Sequence, residues 1–149
     1  QYCVENMRET SKLYGGDTWL ARAASIVQDF LDTREEMMLA AIAKYPQFHA
    51  PMPFAKMKKM AQGIISYGVK IGEGWLLTAE MLELAKNGYN NIICAQPFGC
   101  LPNHIAGRGM LNKIKEIAEN ANILPIDYDS SASKVNQENR IKLMLATAE

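Results

Sequence analysis

The sequence contains only three cysteines, Cys3, Cys94 and Cys100, in 149 residues. This small, odd number excludes a scaffold built on disulfides, and favours reduced thiols or metal ligands. An excess of one charge is also absent, because sixteen Lys and Arg balance sixteen Asp and Glu. Without a positive field, the chain is not expected to bind nucleic acid or an anionic membrane surface.

Long apolar runs are missing as well. No stretch approaches the ~18 apolar residues of a membrane-spanning helix. The composition, 48% hydrophobic and 21% charged, is nevertheless too apolar for a disordered chain. The length fits one domain with a buried core. We therefore expect a cytoplasmic, folded domain without a membrane span.

The first residues lack the features of a secretory signal. The chain begins at Gln1, without an initiator Met, and no charged segment followed by an apolar stretch marks a signal peptide. We therefore expect residues 1–149 to be a single domain of a longer polypeptide.

Helical periodicity dominates the first half of the chain. Over residues 17–45, apolar side chains recur at steps of three, four and seven, which predicts one long helix with a bend or break near Asp32-Thr33 and a cap at Asp17. The stripe consists of Trp19, Ala23, Ile26, Phe30, Met37 and Ala41. Further helices are predicted over 53–67 and over 75–86, where Asn87-Gly88 closes the third. Residues 1–50 are thus expected to be mainly helical.

The period changes in the second half. Apolar runs at 91–95 and 122–127 predict strands, and each precedes a predicted helix, at 108–120 and 134–148. This alternation is typical of parallel α/β units. Two strands are too few for a complete sheet, so we expect 69–71 or the region of Phe48 to add a strand, missing strands to lie upstream, or self-association to complete the sheet. The predicted fold is α/β: helix-rich, with an α/β core over 68–149 and helices on the faces of an incomplete parallel sheet.

Two segments follow the strands, where open α/β sheets bind ligands. Residues 96–109 are predicted to form a loop that carries a thiol, Cys100, and an imidazole, His104, before a helix start; residues 128–133 form a second, polar loop. A helix start favours a thiolate, so Cys100 is a candidate nucleophile or metal ligand. A zinc site with Cys94 and a catalytic Cys–His pair oriented by Asn103 are weaker alternatives, because the spacing fits neither well.

Two further motifs allow chemistry but have simpler explanations. Residues 72–75, GEGW, could hold a phosphate at a helix start, although a tight turn accounts for the glycines equally well. Asp127 and Asp129 could bind a metal ion, although solvated or capping carboxylates are the more common case.

Several stretches resemble one protein family. Residues 94–105 read CAQPFGCLPNHI, residues 72–78 GEGWLLT, residues 126–129 IDYD and residues 135–145 VNQENRIKLML. Together they are similar to the C-terminal region of the acyl-CoA dehydratase activase-related proteins, also named CoA-substrate-specific enzyme activases. The resemblance covers about residues 50–149, and residues 1–50 match only loosely.

The resemblance implies a function and a set of site residues. The chain would be a C-terminal, dehydratase-like domain with an incomplete flavodoxin-like sheet, similar to 2-hydroxyacyl-CoA dehydratase subunits. Cys100 falls at the position of the last of three cysteines that hold a 4Fe-4S iron–sulfur cluster in those subunits, and Asp129 and Arg140 match their terminal pattern. The other cluster cysteines would lie upstream of Gln1, so we expect the cluster in the full-length, anaerobic protein and not in this fragment alone.

The partners follow from the same resemblance. We expect the rest of the polypeptide, including its ATP-dependent activator portion, to be the main partner, with acyl-CoA and a second copy as further candidates. The expected cofactor-binding residues are Cys100, His104, Asp129 and Arg140. Cys100 is also the expected metal ligand of the cluster, whose role is electron transfer. The alternatives are a non-catalytic domain that docks on the activator portion and a hydrolase or transferase that uses Cys100 and His104.

Overall fold

The computed structural model describes residues 1–16, 18–129 and 132–148. Asp17, the predicted cap, and Ser130 and Ser131 of the second polar loop lie outside these residues.

The chain divides into two compact units, Gln1–Lys59 and Met60–Glu149. In chain order, the regular elements are α1 (Tyr2–Tyr14), α2 (Thr18–Ile42), α3 (Phe54–Ala61), α4 (Trp75–Lys86), β1 (Asn91–Pro97), α5 (Leu111–Ile117), β2 (Asn122–Tyr128) and α6 (Lys134–Ala146). None of the described helices is long and apolar enough to cross a bilayer.

In the first unit, α1 and α2 bury polar side chains. The buried residues of α1 are Glu5 and Glu9, and those of α2 are Ala24 and Gln28. Because these positions are polar or small, hydrophobic periodicity does not detect the buried faces, and the bounds of α1 were not predicted, although residues 1–50 were expected to be mainly helical. The alternative of a break near Asp32-Thr33 is wrong, since α2 runs unbroken to Ile42.

The apolar stripe of α2 faces solvent. Trp19, Ile26, Phe30 and Met37 are 66%, 71%, 56% and 58% exposed. Such a stripe usually faces a core, but here small and polar residues occupy the opposite, buried face of the helix.

An ion cluster holds the polar interior of this unit. The Lys58 ammonium donates to Glu5 and, at 2.7 Å, to Glu9. Arg8 also pairs with Glu5, and Lys12 with Glu9, both at 2.9 Å. Burial lowers the pKa of Lys58, but its bonds to the two carboxylates outweigh this and raise the pKa above its usual value. Burial likewise raises the pKa of Glu9, and the bonds from Lys58 and Lys12 bring it below its usual value.

The second predicted helix is shorter than expected. It ends at Ala61 rather than at residue 67, because the amides of Ile64 and Ile65 both donate to the carbonyl oxygen of Ala61 and turns follow. The third helix has the predicted bounds, Trp75–Lys86, with Asn87 as its C-cap.

The second unit contains the α/β arrangement expected from the sequence. Strands β1 and β2 are parallel and pair from Asn91↔Asn122 to Pro97↔Tyr128. The described residues contain no third strand, so the alternatives that placed one at 69–71 or near Phe48 are wrong. Burial alternates along β1, and the main core comprises Met81, Leu82, Ala85, Ile92, Cys94, Ile114, Ala121 and Ile123. The helix-rich, incomplete parallel α/β fold is confirmed.

Candidate functional site at the carboxyl edge of the sheet

The segment after β1 is mostly helical, not a loop. A short turn carries the chain from Pro97 to Cys100, whose amide donates to the Pro97 carbonyl oxygen at 3.2 Å. Helical structure then begins at Leu101 and continues through a π-helical turn, Asn103–Gly107, and a 3-10 turn, Arg108–Met110, into α5. The predicted loop over 96–109 is therefore wrong beyond residue 100. Pro102 does not oppose this helix, because proline is tolerated in a first turn.

One glycine allows the π turn to pack on β1, and a second allows close winding within the helical segment. A side chain on Gly107 would come 3.2 Å from the Cys94 sulfur, and one on Gly109 would come 3.0 Å from the His104 carbonyl oxygen. The buried Thr78 hydroxyl donates to the Ala106 carbonyl oxygen at 2.6 Å. Because the π turn changes the hydrogen-bond ladder, this bond from α4 fixes its position.

Cys100 lies at the start of this helical segment, at the carboxyl edge of the sheet. Its carbonyl oxygen accepts the His104 amide at 3.0 Å, so it takes the N-cap position. Its sulfur is part-buried and accepts a hydrogen bond from the Asn103 side-chain amide at 3.1 Å. The structure thus presents a thiol that is neither sequestered in the core nor freely mobile on the surface.

A cluster of polar side chains around one carboxylate, that of Asp127, occupies the same edge of the sheet. Gln96 and Asp127 are partners in the strand register, and the Gln96 amide donates to the Asp127 carboxylate. Arg108 pairs with the other carboxylate oxygen at 3.0 Å. The Gln96 bond, then the Arg108 charge and hydrogen bond, and last the His104 charge hold the pKa of Asp127 below its usual value, against an opposing effect of burial. Gln96 is 1% exposed, and its side-chain oxygen has no hydrogen-bond partner among the described residues.

This cluster gives a testable titration. Replacing Gln96 with Met removes the donor that most lowers the pKa of Asp127, so we expect that pKa to rise toward its usual value of 3.8. In the parent chain, the stabilisation that Asp127 provides is present above 3.8 and is lost as the pH falls through its lower folded pKa. Carboxyl-carbon NMR titration measures the change.

Gln137 supplies the matched control. Its side chain donates to the backbone carbonyl oxygen of Asp127 at 2.8 Å and does not bond the carboxylate. Gln137→Ala should therefore leave the pKa of Asp127 unchanged. An equal rise in both variants would show that general loosening of the strand end, and not the Gln96 bond, is the cause.

The predicted site residues occupy different surroundings. His104 is half-buried on the π turn, and its charge acts on Asp127. Asp129 is exposed beyond the end of β2. The Arg140 guanidinium donates to the Pro125 carbonyl oxygen at 2.6 Å, and so binds along β2 instead of at the carboxyl edge. Cys100 and His104 therefore share one helical segment, whereas Arg140 serves a strand contact.

The alternative sites find little support in the geometry. Cys94 is buried in the core against Gly107, and burial raises the pKa of its thiol despite the Arg108 charge. Among the described residues, no group of three or more His, Cys, Asp or Glu side chains could hold a metal ion, and Cys100 is bonded to Asn103 rather than to His104.

The helix start after residues 72–74 is also poorly suited to bind a phosphate through its backbone N–H groups. The amides of Trp75, Leu76 and Leu77 donate to the carbonyl oxygens of Val69, Glu73 and Gly74. Because these N–H groups already have backbone partners, the segment is a closed turn that positions α4.

Sequence reasoning did not identify Gln96 or Arg108. A signal for Gln96 was present, because it and Asp127 stand at equivalent positions near the ends of the two predicted strands. Arg108 gives no comparable signal, since its approach to Asp127 depends on the π turn. No protein-family model, curated protein or solved structure matches this chain.

Proposed function

We propose that this chain is part of a cytoplasmic iron–sulfur redox protein related to 2-hydroxyacyl-CoA dehydratases and their ATP-dependent activators, to which it contributes Cys100 as one cluster ligand. The observation that carries the proposal is the part-buried Cys100 sulfur, bonded by Asn103 at the carboxyl edge of the sheet. Thiolates are the usual ligands of iron–sulfur clusters, and hydrogen bonds to sulfur tune cluster potentials.

The chain fits one ligand position and not a complete cage. A 4Fe-4S cluster is held by several cysteine thiolates, whereas the described residues contain no group of three candidate ligands. The remaining ligands would come from other parts of the polypeptide. The cluster would supply low-potential electron transfer, and acyl-CoA would be the substrate class of the whole protein.

Within this proposal, each residue of the chain has a limited task. Asn103 is 8% exposed and holds the sulfur of Cys100 through its side-chain amide, which favours a fixed thiolate direction. The side chains of Gln96, Asp127 and Arg108 fix the ends of both strands at the same edge of the sheet. His104 would add positive charge beside the iron–sulfur cluster when protonated.

The test is anaerobic reconstitution of the full-length protein with Cys100→Ala, measured by iron content and visible absorption. We expect the variant to lose most of the iron that the parent protein binds, because one of the thiolate ligands of the cluster is removed. Cys94→Ala is the matched control: its thiol is buried against Gly107, and iron content should stay near the parent value.

Two results would contradict the proposal. Iron content and spectrum unchanged in Cys100→Ala would remove the ligand role, and so would a parent protein that binds no iron under the same conditions. Either outcome favours the alternative of a non-catalytic docking domain. Circular dichroism of each variant checks that the helices and the sheet are retained.

A further inference from the structure

The exposed face of α2 has the pattern of a helix-pairing seam. Its residues follow alternating steps of four and three, which is the heptad spacing of two helices that wind around each other. The seam consists of Trp19, Ala23, Ile26, Phe30, Thr33, Met37 and Ala40. All of them are exposed except Ala23, which is half-buried.

The seam lies opposite the face that α2 uses inside its own unit. Ala24 and Gln28 are buried, and at about 100° per residue they lie on the far side of the helix from Ile26 and Phe30. Contiguous exposed apolar surface of this kind marks an interaction site. A helix that is already packed on one side can therefore accept a second partner on the other.

We propose that α2 pairs with α2 of a second copy of this chain, antiparallel, in a dimer with two-fold symmetry. In this alignment Trp19 lies opposite Met37 of the second copy, and Ile26 opposite Phe30. Val27, 47% exposed beside the seam, meets its own copy. Each contact occurs twice except those on the axis, as a self-complementary interface requires.

Charges beside the seam agree with this alignment. Arg22 and Glu36 flank it on one side, both are exposed, and among the described residues neither forms a salt bridge. The antiparallel alignment places Arg22 of one copy next to Glu36 of the other, at both ends of the interface. Asp29 then lies near its own copy at the centre, a like-charge contact that limits affinity.

A parallel pair fits less well. It would place Arg22 beside Val27 and Asp29 beside Arg34. The Arg34 guanidinium, however, already lies 4.9 Å from the centre of the Phe30 ring and 3.7 Å from the Met37 sulfur. The antiparallel pair leaves those contacts in place.

The exposed area is adequate for a modest dimer. Trp19 and Phe30 each expose more than half of their surface, and aromatic side chains bury roughly 150–250 Å² each. The four rings of two copies would thus contribute roughly 400–600 Å² toward the ~1,000 Å² of a specific interface. Ile26, Val27 and Met37 of both copies supply the rest. The inference does not depend on Cys100 or on a cluster.

Sedimentation equilibrium of the full chain against concentration is the first test. We expect a monomer–dimer equilibrium that Met37→Glu weakens at least about tenfold, because a carboxylate would be buried in the seam. Met38→Glu is the matched control: Met38 is 65% exposed but lies outside the seam, so its equilibrium should match the parent. A parent chain that remains a 16.6 kDa monomer at every concentration would overturn the proposal, as would equal effects of the two variants.

Charge reversal tests the alignment. Arg22→Glu and Glu36→Arg should each weaken association by about tenfold, because like charges then meet at both ends. Mixing the two variants should restore association to near the parent value, since opposite charges then face each other at both ends of the interface. Asp29→Asn should strengthen the dimer a few-fold by removing the central repulsion. Weakening by Asp29→Asn, or no recovery on mixing, would overturn the antiparallel alignment.

Discussion

Replacing Lys58 with Met is expected to destabilise the unit Gln1–Lys59 by about 3 kcal/mol. The variant leaves Glu5 and Glu9, 3% and 7% exposed, without the ammonium that bridges them. Removing one partner of a buried ion cluster costs far more than removing a surface pair, because the remaining charges stay out of water. Hydrogen exchange of the α1 amides measures the loss.

Lys12 provides the control for this prediction. It also bonds Glu9, at 2.9 Å, but its side chain is 60% exposed. Lys12→Met should therefore cost less than about 1 kcal/mol. If the two variants had equal effects, the burial of the Lys58 bridge would not be the source of the stability.

The same cluster predicts how this unit responds to pH. The pKa of Glu9 is lowered, so its contribution is present above its usual pKa of 4.5 and is lost as the pH falls through the folded value. The pKa of Lys58 is raised, so its contribution is present below its usual value of 10.5 and is lost as the pH rises through the folded value. The helical unit should thus be most stable between these limits.

Replacing Trp75 with Ala is expected to lower the free energy of unfolding of the second unit by about 3–5 kcal/mol. The indole is fully buried, and its ring meets Tyr67 edge-on with 5.2 Å between ring centres. Removing it opens a cavity beneath α4 and deletes the aromatic pair. Chemical denaturation followed by circular dichroism measures the effect.

The second tryptophan is the natural control. Trp19 is 66% exposed, so at concentrations where the chain is monomeric Trp19→Ala should change the free energy of unfolding by less than about 0.5 kcal/mol. A small effect of Trp75→Ala would contradict the packing described for α4.

The sequence predicts best those elements whose ends carry their own signals. Helix α4 has the predicted bounds because glycines precede it and Asn87-Gly88 follows it. Strands β1 and β2 were found from their apolar runs, and each extends slightly beyond the prediction. Local chemistry determines these elements, so the local sequence is sufficient to predict them.

Other features depend on contacts that no local pattern encodes. Helix α1 buries Glu5 and Glu9, and the cation that bridges them, Lys58, is distant in the sequence. The helical start at Leu101 was missed because nearby prolines and glycines are typical of loops. Cys100 was identified as a site residue from its place after β1, but its bond to Asn103 follows from the turn geometry.

The π turn at Asn103–Gly107 has a consequence for how this segment evolves. A π turn rotates the chain less per residue than a regular helix, and the 3-10 turn at Arg108–Met110 rotates it more, so together the two turns set which way α5 faces. Ile114 can therefore reach the core while Cys100 remains at the rim of the sheet. Insertions or deletions within the turn would rotate one end relative to the other, so its length is constrained more tightly than its composition.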